Sequence, residues 1–586
     1  MRGTKTILVA VTLIAVVGLA TVAGAQVKFS GVGSSAMFNG TAVGVFSDVC
    51  SARVGSDCRH YSVGGKNAAN NNNYAQAVDG RNINIPVESG NLWVVWDNNT
   101  SPLSVWAYLS VDSVVGNRCF FATPRCTLQV DSGVLSHAGE NRVPSSIMLN
   151  RQTNLTQADE ASLPSAVLTA VQTAFTAALT DIRPEDAKYA TNRALAAFNA
   201  TNAKGLGYGV ATANCPAATA LIGCQIKGTW GGAATPVQFN VSKKKDPFTN
   251  LKVPVTTTIA VGAAPIVFVY NNTGAGLSGG IGNLTFDTAG KLFSGQIGKA
   301  SDIGGVGSNA LSVILREPLS GTMNTTEFTT FRLFLAPKFP APKLSQEKGV
   351  DLSVGVCPGL GCPNPLNLAG GGGTRFRAIG TGAMISGVSG VGGIKNLADS
   401  VGYTFFSFGN VAPIAGAAGV GRYVTLDGVD PISASFSSGV LPTCTAPCPA
   451  APNTSFPHIR DGSYRAWSVL RLVTDASGPN FTNAQAVVAA TQNEVNGTVP
   501  DFVPAVATTD GDSGLLYVRS HFKISGVTSG VISNAGPENG GDVGGCPFKV
   551  GGPRATQTQI HLNGAKAAPA NAPWPGGACD LTPGHN

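Results

Sequence analysis

The chain has 586 residues, of which 74 are glycine and only 12% are charged, and its formal net charge is +7. A length of this order predicts about two to four domains with sizeable cores. Few charges and abundant glycine predict a loop-rich, strand-containing architecture rather than disorder. The positive charge is spread over a large surface without a basic stripe, which argues against nucleic-acid binding.

The N-terminus has the pattern of a secretory signal peptide over residues 1–25. Arg2 and Lys5 precede the apolar run Ile7–Ala20, and small residues at 23–25 suit a cleavage site. The apolar run is short for a membrane span, and no cysteine follows the cleavage position. We therefore expect a periplasmic or secreted protein without a lipid anchor.

Cysteine spacing supports export. Close pairs of cysteines along the sequence are typical of short-range disulfides in an oxidising compartment, although the sequence leaves their connectivity open. No pair has C-x-x-C spacing and no two histidines stand at finger spacing, so we expect no metal site. The predicted pairs are Cys50 with Cys58, Cys119 with Cys126, Cys215 with Cys224, Cys357 with Cys362, Cys444 with Cys448 and, farther apart, Cys546 with Cys579.

The first third of the chain predicts strands that alternate with helices. Apolar runs next to glycine-rich or asparagine-rich segments carry this signal. The predicted elements are a strand at Val27–Ser30, a turn at Gly31–Ser35, a helix at Ala36–Phe46, a loop at Lys66–Asn82, strands at Leu92–Trp96 and Val105–Val111, a turn at Asp112–Arg118, a helix at Leu163–Ala178 and a helix start at Pro184.

The same alternation continues in the rest of the chain and predicts an α/β fold. The glycine run Gly370–Gly373 lacks a following Gly-Lys-Ser/Thr, which favours a flexible loop over a phosphate loop. The predicted elements are strands at Val253–Thr258, Ala264–Tyr270, Leu311–Leu315, Val401–Phe406 and Leu515–Ile524, and helices within Leu284–Ile297 and at Met323–Phe334, Thr381–Ser386, Ile394–Ala398 and Gln485–Asn493.

The segment Arg316–Thr322 is the strongest candidate for a binding site. An apolar strand ends in Arg316, and Ser320-Gly321-Thr322 leads into the next helix. Arginine offers a planar fork of donors, while a helix start adds free backbone N–H groups. This combination of charge, hydroxyls and N–H groups suits an oxyanion.

Taken in order, these motifs resemble the periplasmic phosphate-binding proteins of ABC importers. The resemblance runs from about Val27 to Val473 and implies an α/β, two-lobed type 2 periplasmic binding protein fold with a ligand cleft between the lobes. Large insertions and a C-terminal extension depart from the family pattern. The matching segments are Gly31–Ser35, Asp112-Ser113, Thr180-Asp181, Leu284–Ile297, Arg316–Thr322, Val401-Gly402-Tyr403 and Asp427–Pro431.

The resemblance implies that inorganic phosphate, or a similar tetrahedral oxyanion, binds between the lobes without catalysis or a cofactor. Arg183 lies outside the family pattern and is left open to pair with Asp181, to add a second cation or to face solvent. Simpler roles also stay open, with Ser35, Ser320 and Asp181 as helix caps and Arg316 as a surface residue. The implied ligand residues are Ser35, Ala36, Ser113, Asp181, Arg316, Ser320, Gly321 and Thr322.

Asp181 gives the implied site its selectivity. Phosphate near neutral pH still carries a proton, so an ionised carboxylate can accept a hydrogen bond from it. Fully ionised sulfate has no proton to donate and would meet a buried like charge. The chemistry of these side chains therefore favours phosphate over sulfate.

The resemblance also predicts how the chain is divided. Residues 26–262 and the return segment 410–474 are expected in lobe one, 263–409 in lobe two, and 475–586 in an extension packed on lobe one. Expected partners are phosphate and the membrane subunits of an ABC transporter, with the protein itself a monomer. The alternative is a secreted structural or adhesive surface protein that retains this fold. A protease is not expected, because Gly511–Gly514 has no matching histidine segment upstream.

Overall fold

The structure is a computed structural model that describes part of the chain. Residues 1–23 of the predicted signal peptide, Arg183 and Pro184 lie outside the described residues, as do three of the six predicted cysteine pairs, Cys215 with Cys224, Cys444 with Cys448 and Cys546 with Cys579. The described residues are 24–65, 67–70, 72–79, 82–143, 149–150, 155–182, 256–293, 297–316, 320–326, 329–330, 357–365, 373–378, 380–390, 397–406, 408–433, 435–441, 458, 464, 466–495, 502–504 and 516–518.

Strands supply the framework of the described chain. They are β1 Gln26–Ser34, β2 Cys58–Val63, β3 Ala75–Asp79, β4 Asn82–Ser89, β5 Asn91–Asp97, β6 Ser104–Val111, β7 Thr127–Val130, β8 Leu149–Asn150, β9 Leu155–Thr156, β10 Ala177–Thr180, β11 Thr256–Asn271, β12 Asn283–Leu284, β13 Leu311–Arg316, β14 Cys357–Pro365, β15 Gly373–Ala378, β16 Ser400–Phe405, β17 Gly421–Tyr423, β18 Thr425–Leu426, β19 Trp467–Asp475, β20 Phe502–Pro504 and β21 Leu516–Val518.

Helices connect many of these strands, which makes the fold mixed α/β. The α-helices are α1 Phe38–Gly44, α2 Ser113–Phe121, α3 Ser165–Val171, α4 Phe286–Phe293, α5 Gly321–Thr326, α6 Gly380–Ser389, α7 Phe408–Ala415 and α8 Gly478–Val495. Short 3-10 turns cover Ser35–Met37, Ser132–Leu135 and Ala300–Ile303, and a π-helical turn covers Val45–Cys50.

One twelve-stranded sheet runs through the described chain and divides into two halves. The first half has the strand order β2-β5-β6-β1-β10-β19, and the second has β16-β13-β15-β14, while β17 pairs with the end of β11 outside this order. The long strand β11 joins them, because its residues 256–265 pair with β19 and its residues 266–270 pair with β16. A single strand therefore belongs to both halves.

The two halves repeat one local topology. In the first, β1 lies between the parallel strands β6 and β10, and β19 runs antiparallel beside β10. In the second, β13 lies between the parallel strands β15 and β16, and β11 runs antiparallel beside β16. Parallel strands end at a common edge of the sheet, which is where ligands bind in α/β folds.

Both faces of the first half are buried. Alternate residues of β5 point to opposite faces, so Trp93 packs in one core cluster while Val94 packs in the other. One cluster contains only residues of the first half, and the other continues into the second half through residues such as Val267 and Ile314. This explains the nearly continuous apolar runs of the strands.

Gly31 and Gly33 lie within β1 rather than in the predicted turn. A β-carbon at Gly33 would lie 2.0 Å from the carbonyl oxygen of Leu179, and a β-carbon at Gly116 would lie 2.6 Å from the Cα of Gly33. These glycines allow the strands and α2 to pack closely. The predicted turn is therefore wrong, because Gly31 and Gly33 belong to a strand that packs closely against β10 and α2.

Four other predicted elements differ from the structure. The asparagine-rich loop at 66–82 contains β3, because its residues pair with β4 and β7. The segment Asp112–Arg118 begins α2 instead of forming a turn. The helix predicted to reach Ala178 ends at Val171, since β10 pairs with β1 and β19, and the two strands predicted near residues 253–270 form the single strand β11.

The predicted disulfide between Cys50 and Cys58 is present. Cys119 and Cys126 differ from the prediction, because both are buried free thiols. The backbone N–H of Cys126 donates to the Cys119 carbonyl at 3.0 Å. Within the described ranges, no helix is long and apolar enough to span a membrane.

Candidate anion-binding site

Three strand ends bring the site residues of the first half together. Parallel β1 is in register with its neighbours, so that Ser34 pairs with Val111 and Gly33 with Leu179. The residues that follow these strands therefore meet at one edge of the sheet. They are Ser35 and Ala36 after β1, Asp112 and Ser113 after β6, and Asp181 after β10.

The second half places its own strand ends at the site. Arg316 is the last residue of β13 and pairs with Ala378 at the end of β15. The backbone N–H of Arg316 donates to the hydroxyl of Tyr403 at 3.1 Å, and this hydroxyl also contacts the sulfur of Met323 at 2.7 Å. Tyr403 on β16 therefore ties the end of β13 to α5.

The Arg316 guanidinium is buried and lies between the two halves. Its Nη1 donates to Thr381 Oγ1 at 2.8 Å, and its Nη2 lies 3.7 Å from Asp112 Oδ1. Only 2% of the Arg316 side chain and 8% of the Asp112 side chain are exposed. The interpretation of Arg316 as a surface residue is therefore wrong.

Asp181 is a buried carboxylate on the first half. The hydroxyl of Ser113 donates to Asp181 Oδ1, and the Asp181 backbone N–H lies 3.4 Å from the same hydroxyl. Burial raises the pKa of Asp181, while the hydrogen bond from Ser113 and the nearby charges of Arg316 and Arg471 act in the opposite direction. Burial dominates, so the carboxylate binds a proton more readily than an exposed aspartate.

The Asp181 carboxylate also contacts the first residue of α5. A β-carbon at Gly321 would lie only 1.5 Å from Asp181 Oδ1 and 2.4 Å from Oδ2. Only glycine permits this approach, because any larger residue would overlap the carboxylate. The two halves therefore meet at this point through Asp181 and Gly321.

The remaining predicted ligand residues surround this contact. Ser320 Oγ accepts from the Met323 N–H at 3.3 Å, which is the geometry of a helix cap. Thr322 follows Gly321 in the first turn of α5 and is buried. In the first half, Ser34 rather than Ser35 caps the turn, because its hydroxyl accepts from the Ala36 N–H at 3.2 Å. Ser35 Oγ instead lies 3.5 Å from Thr381 Oγ1.

Three site residues were missed from the sequence as candidates. Thr381 contacts Arg316, and the sequence signal for it was Gly380-Thr381-Gly382 between a strand and a helix. Asp112 was part of a recognised segment but was given no role. Arg471 on β19 is buried and pairs with Thr180, next to Asp181, and the pattern of its own strand gave no sign of this.

The arrangement of these groups can bind an anion. Asp112 and Asp181 are buried carboxylates, and Arg316 and Arg471 are buried cations. Arg316 lies near Asp112, and both cations act electrostatically on Asp181. In the described part of the chain, one group of potential metal ligands occurs, formed by Cys50, Cys58 and Asp97. The disulfide already joins both sulfurs of that group.

No family model and no curated protein matches the sequence. Solved structures with some similarity to this one include phosphate-binding proteins. An ABC-type phosphate transport receptor from Vibrio cholerae is 13% identical with a TM-score of 0.23, over 40% of this chain and 67% of that one. A phosphate-binding protein from Stenotrophomonas maltophilia is 16% identical with a TM-score of 0.24, over 42% and 63%.

Proposed function

We propose that this protein binds inorganic phosphate between its two halves and belongs with the periplasmic phosphate-binding proteins of ABC importers. The observation that supports this most is that Asp181 and Arg316, from opposite halves, are both buried near the start of α5 and close enough for their charges to interact. A buried guanidinium is retained where it has anionic partners. Arg316 has one in Asp112, and a bound anion would add a second.

The proposed ligand contacts come from both halves. Arg316 supplies charge, and the start of α5 supplies the hydroxyls and N–H groups of Ser320, Gly321 and Thr322. Ser35, Ala36 and Ser113 add donors from the first half. A phosphate held in this way replaces its lost hydration with directed hydrogen bonds, which favours binding in a buried place.

Asp181 supports phosphate as the preferred anion. Near neutral pH phosphate has a proton to donate, and an ionised Asp181 can accept it. Sulfate has none, so the buried negative charge of Asp181 opposes sulfate. The raised pKa of Asp181 implies that this selectivity weakens as the pH falls through that pKa.

Binding is proposed to hold the halves closed. The two halves share β11, and its pairing with β19 has an irregularity between Ala260 and Gly262. This irregularity lies in the part of β11 that pairs with the first half, shortly before β11 changes partner to β16 at Ile266. A strand shared by two bodies, with an irregularity close to the point where it passes from one to the other, is a suitable hinge. This place coincides with the proposed boundary between lobe one at 26–262 and lobe two at 263–409. Residues 410–474 would return to lobe one, and 475–586 would extend it.

The proposed setting is export through the signal peptide, followed by capture of phosphate for the membrane subunits of an importer. The protein would act as a monomer without catalysis. Isothermal titration and thermal shift of the mature protein with phosphate, sulfate and molybdate test the binding step. We expect phosphate to stabilise the protein more than sulfate does. No response to phosphate would overturn the proposal, and an equal response to sulfate would remove Asp181 from its selective role.

A further inference from the structure

The repeated topology of the two halves gives Thr381 a counterpart. In each half three parallel strands lie side by side, and the second of them in chain order is β6 in the first half and β15 in the second. Ser113 follows β6, and Thr381 follows β15. In each half this strand lies directly beside the central strand, β1 or β13. Thr381 therefore occupies in the second half the position that Ser113 occupies in the first.

The geometry points to Thr381 as a further binding residue, whose hydroxyl donates to the anion from the second half and fixes Arg316 in place. This inference rests on the proposed function. It adds to the proposed ligand set a hydroxyl that follows β15, whereas the Ser320–Thr322 segment follows β13.

The hydrogen-bond geometry determines what the Thr381 hydroxyl can do. A hydroxyl has one hydrogen to donate and lone pairs for two acceptor bonds. Arg316 Nη1 donates to Thr381 Oγ1 at 2.8 Å, which uses one lone pair. The hydroxyl hydrogen then remains for a different acceptor. Because the neighbouring guanidinium is charged, it also strengthens the hydroxyl as a donor.

The other neighbour of Thr381 lies across the boundary between the halves. Ser35 Oγ is 3.5 Å from Thr381 Oγ1, which is at the limit of a hydrogen bond. Ser35 belongs to the first half and is itself a proposed ligand residue. The two hydroxyls and the Arg316 fork therefore converge on one place, and an anion there would accept from all three.

The space around Thr381 allows a conservative test. A β-carbon at the neighbouring Gly382 would have no heavy atom within 4 Å, so the start of α6 is loosely surrounded. Thr381→Val keeps the shape and removes the hydroxyl. Thr381→Ser keeps the hydroxyl and removes the methyl group, and Thr381→Ala removes both.

The experiment is isothermal titration of each mature variant with inorganic phosphate, together with the melting temperature of each ligand-free protein. We expect Thr381→Val and Thr381→Ala to bind phosphate about 10- to 100-fold more weakly, as for a lost hydrogen bond to a charged group. Thr381→Ser should bind close to wild type. Removal of the acceptor of Arg316 Nη1 should also lower the ligand-free melting temperatures of Thr381→Val and Thr381→Ala. Phosphate affinity is therefore measured well below those melting temperatures, where every variant is folded and a merely structural role would leave the affinity unchanged.

Each other outcome overturns the inference in a recognisable way. If the wild type binds phosphate and Thr381→Val binds equally well, Thr381 is not a binding residue while the proposed function stands. If Thr381→Val weakens binding but Thr381→Ala does not, the altered shape and not the lost hydroxyl is responsible. If the wild type itself does not bind phosphate, the proposed function fails and this inference fails with it.

Discussion

Replacing Gly321 with alanine would test the contact between the two halves directly. A β-carbon at this position would lie 1.5 Å from Asp181 Oδ1, 2.1 Å from Cγ and 2.4 Å from Oδ2. Real β-carbons do not approach heavy atoms closer than 3.0 Å, so the carboxylate or the start of α5 must move by about 1.5 Å. A shift of this size separates Asp181 from the groups that would hold the anion beside it.

Two effects set the size of the change, the steric overlap in the ligand-free protein and the loss of a hydrogen bond to the bound anion. Overpacking a buried place costs about 1–3 kcal/mol of stability. A lost hydrogen bond to a charged group costs about 1.5–3 kcal/mol of binding free energy, which corresponds to roughly 10- to 150-fold in Kd. We therefore expect Gly321→Ala to lower the melting temperature and to weaken phosphate binding by at least about tenfold.

The assay is thermal melting and isothermal titration with phosphate, with Gly382→Ala as the matched control. Gly382 also lies near the start of a helix, and a β-carbon there would meet no heavy atom within 4 Å. The control should keep its phosphate affinity and gain slightly in stability from the better helix propensity of alanine. Unchanged phosphate binding and stability in Gly321→Ala would refute the reasoning.

Three further changes test the charges and the disulfide. Arg316→Ala should abolish phosphate binding in titration, and Arg316→Lys should weaken it because the planar fork is lost; full binding by Arg316→Ala would exclude its proposed role. Burial raises the pKa of Asp181 above the ordinary value of 3.8. At a pH above the raised pKa the buried carboxylate is charged and lowers the free energy of unfolding, and this loss of stability disappears as the pH falls below 3.8. Asp181→Asn should therefore raise the ligand-free melting temperature at pH 7 but not at pH 3, and a lower melting temperature at pH 7 would contradict the stability argument. The same variant should reduce the ratio of phosphate affinity to sulfate affinity. The double variant Cys50→Ser/Cys58→Ser removes a crosslink between residues with a sequence separation of 8 and should lower the free energy of unfolding, measured with denaturant, by about 2–3 kcal/mol. An unchanged free energy of unfolding would mean that the disulfide does not stabilise the protein.

The site was partly predictable because its key residues follow apolar strands. The run Leu311–Leu315 predicts a strand, and the structure has β13 ending at Arg316. Leu92–Trp96 and Val105–Val111 were predicted as strands for the same reason and are confirmed. Local hydrophobic pattern is sufficient here, since a buried strand needs apolar residues on both faces.

Other elements depended on partners far away in the sequence. Gly31 and Gly33 have the composition of a turn, yet they form β1 because β6 and β10 supply hydrogen bonds on both sides. β10 was read as the end of a helix, since its alanine-rich sequence favours helix. Its pairing with β1 and β19 overrides that preference.

The sequence alone determined the α/β alternation, the close cysteine pairs and the candidate anion segment Arg316–Thr322, because each depends on residues near one another in the chain. Tertiary structure alone decided that Asp181 lies against Gly321 and that Arg316 contacts Asp112 and Thr381. These contacts join residues that are 65 or more positions apart, and only the folding of two half-sheets around β11 sets their distances. The selectivity of the proposed site depends on those distances, so it could not be derived from local sequence.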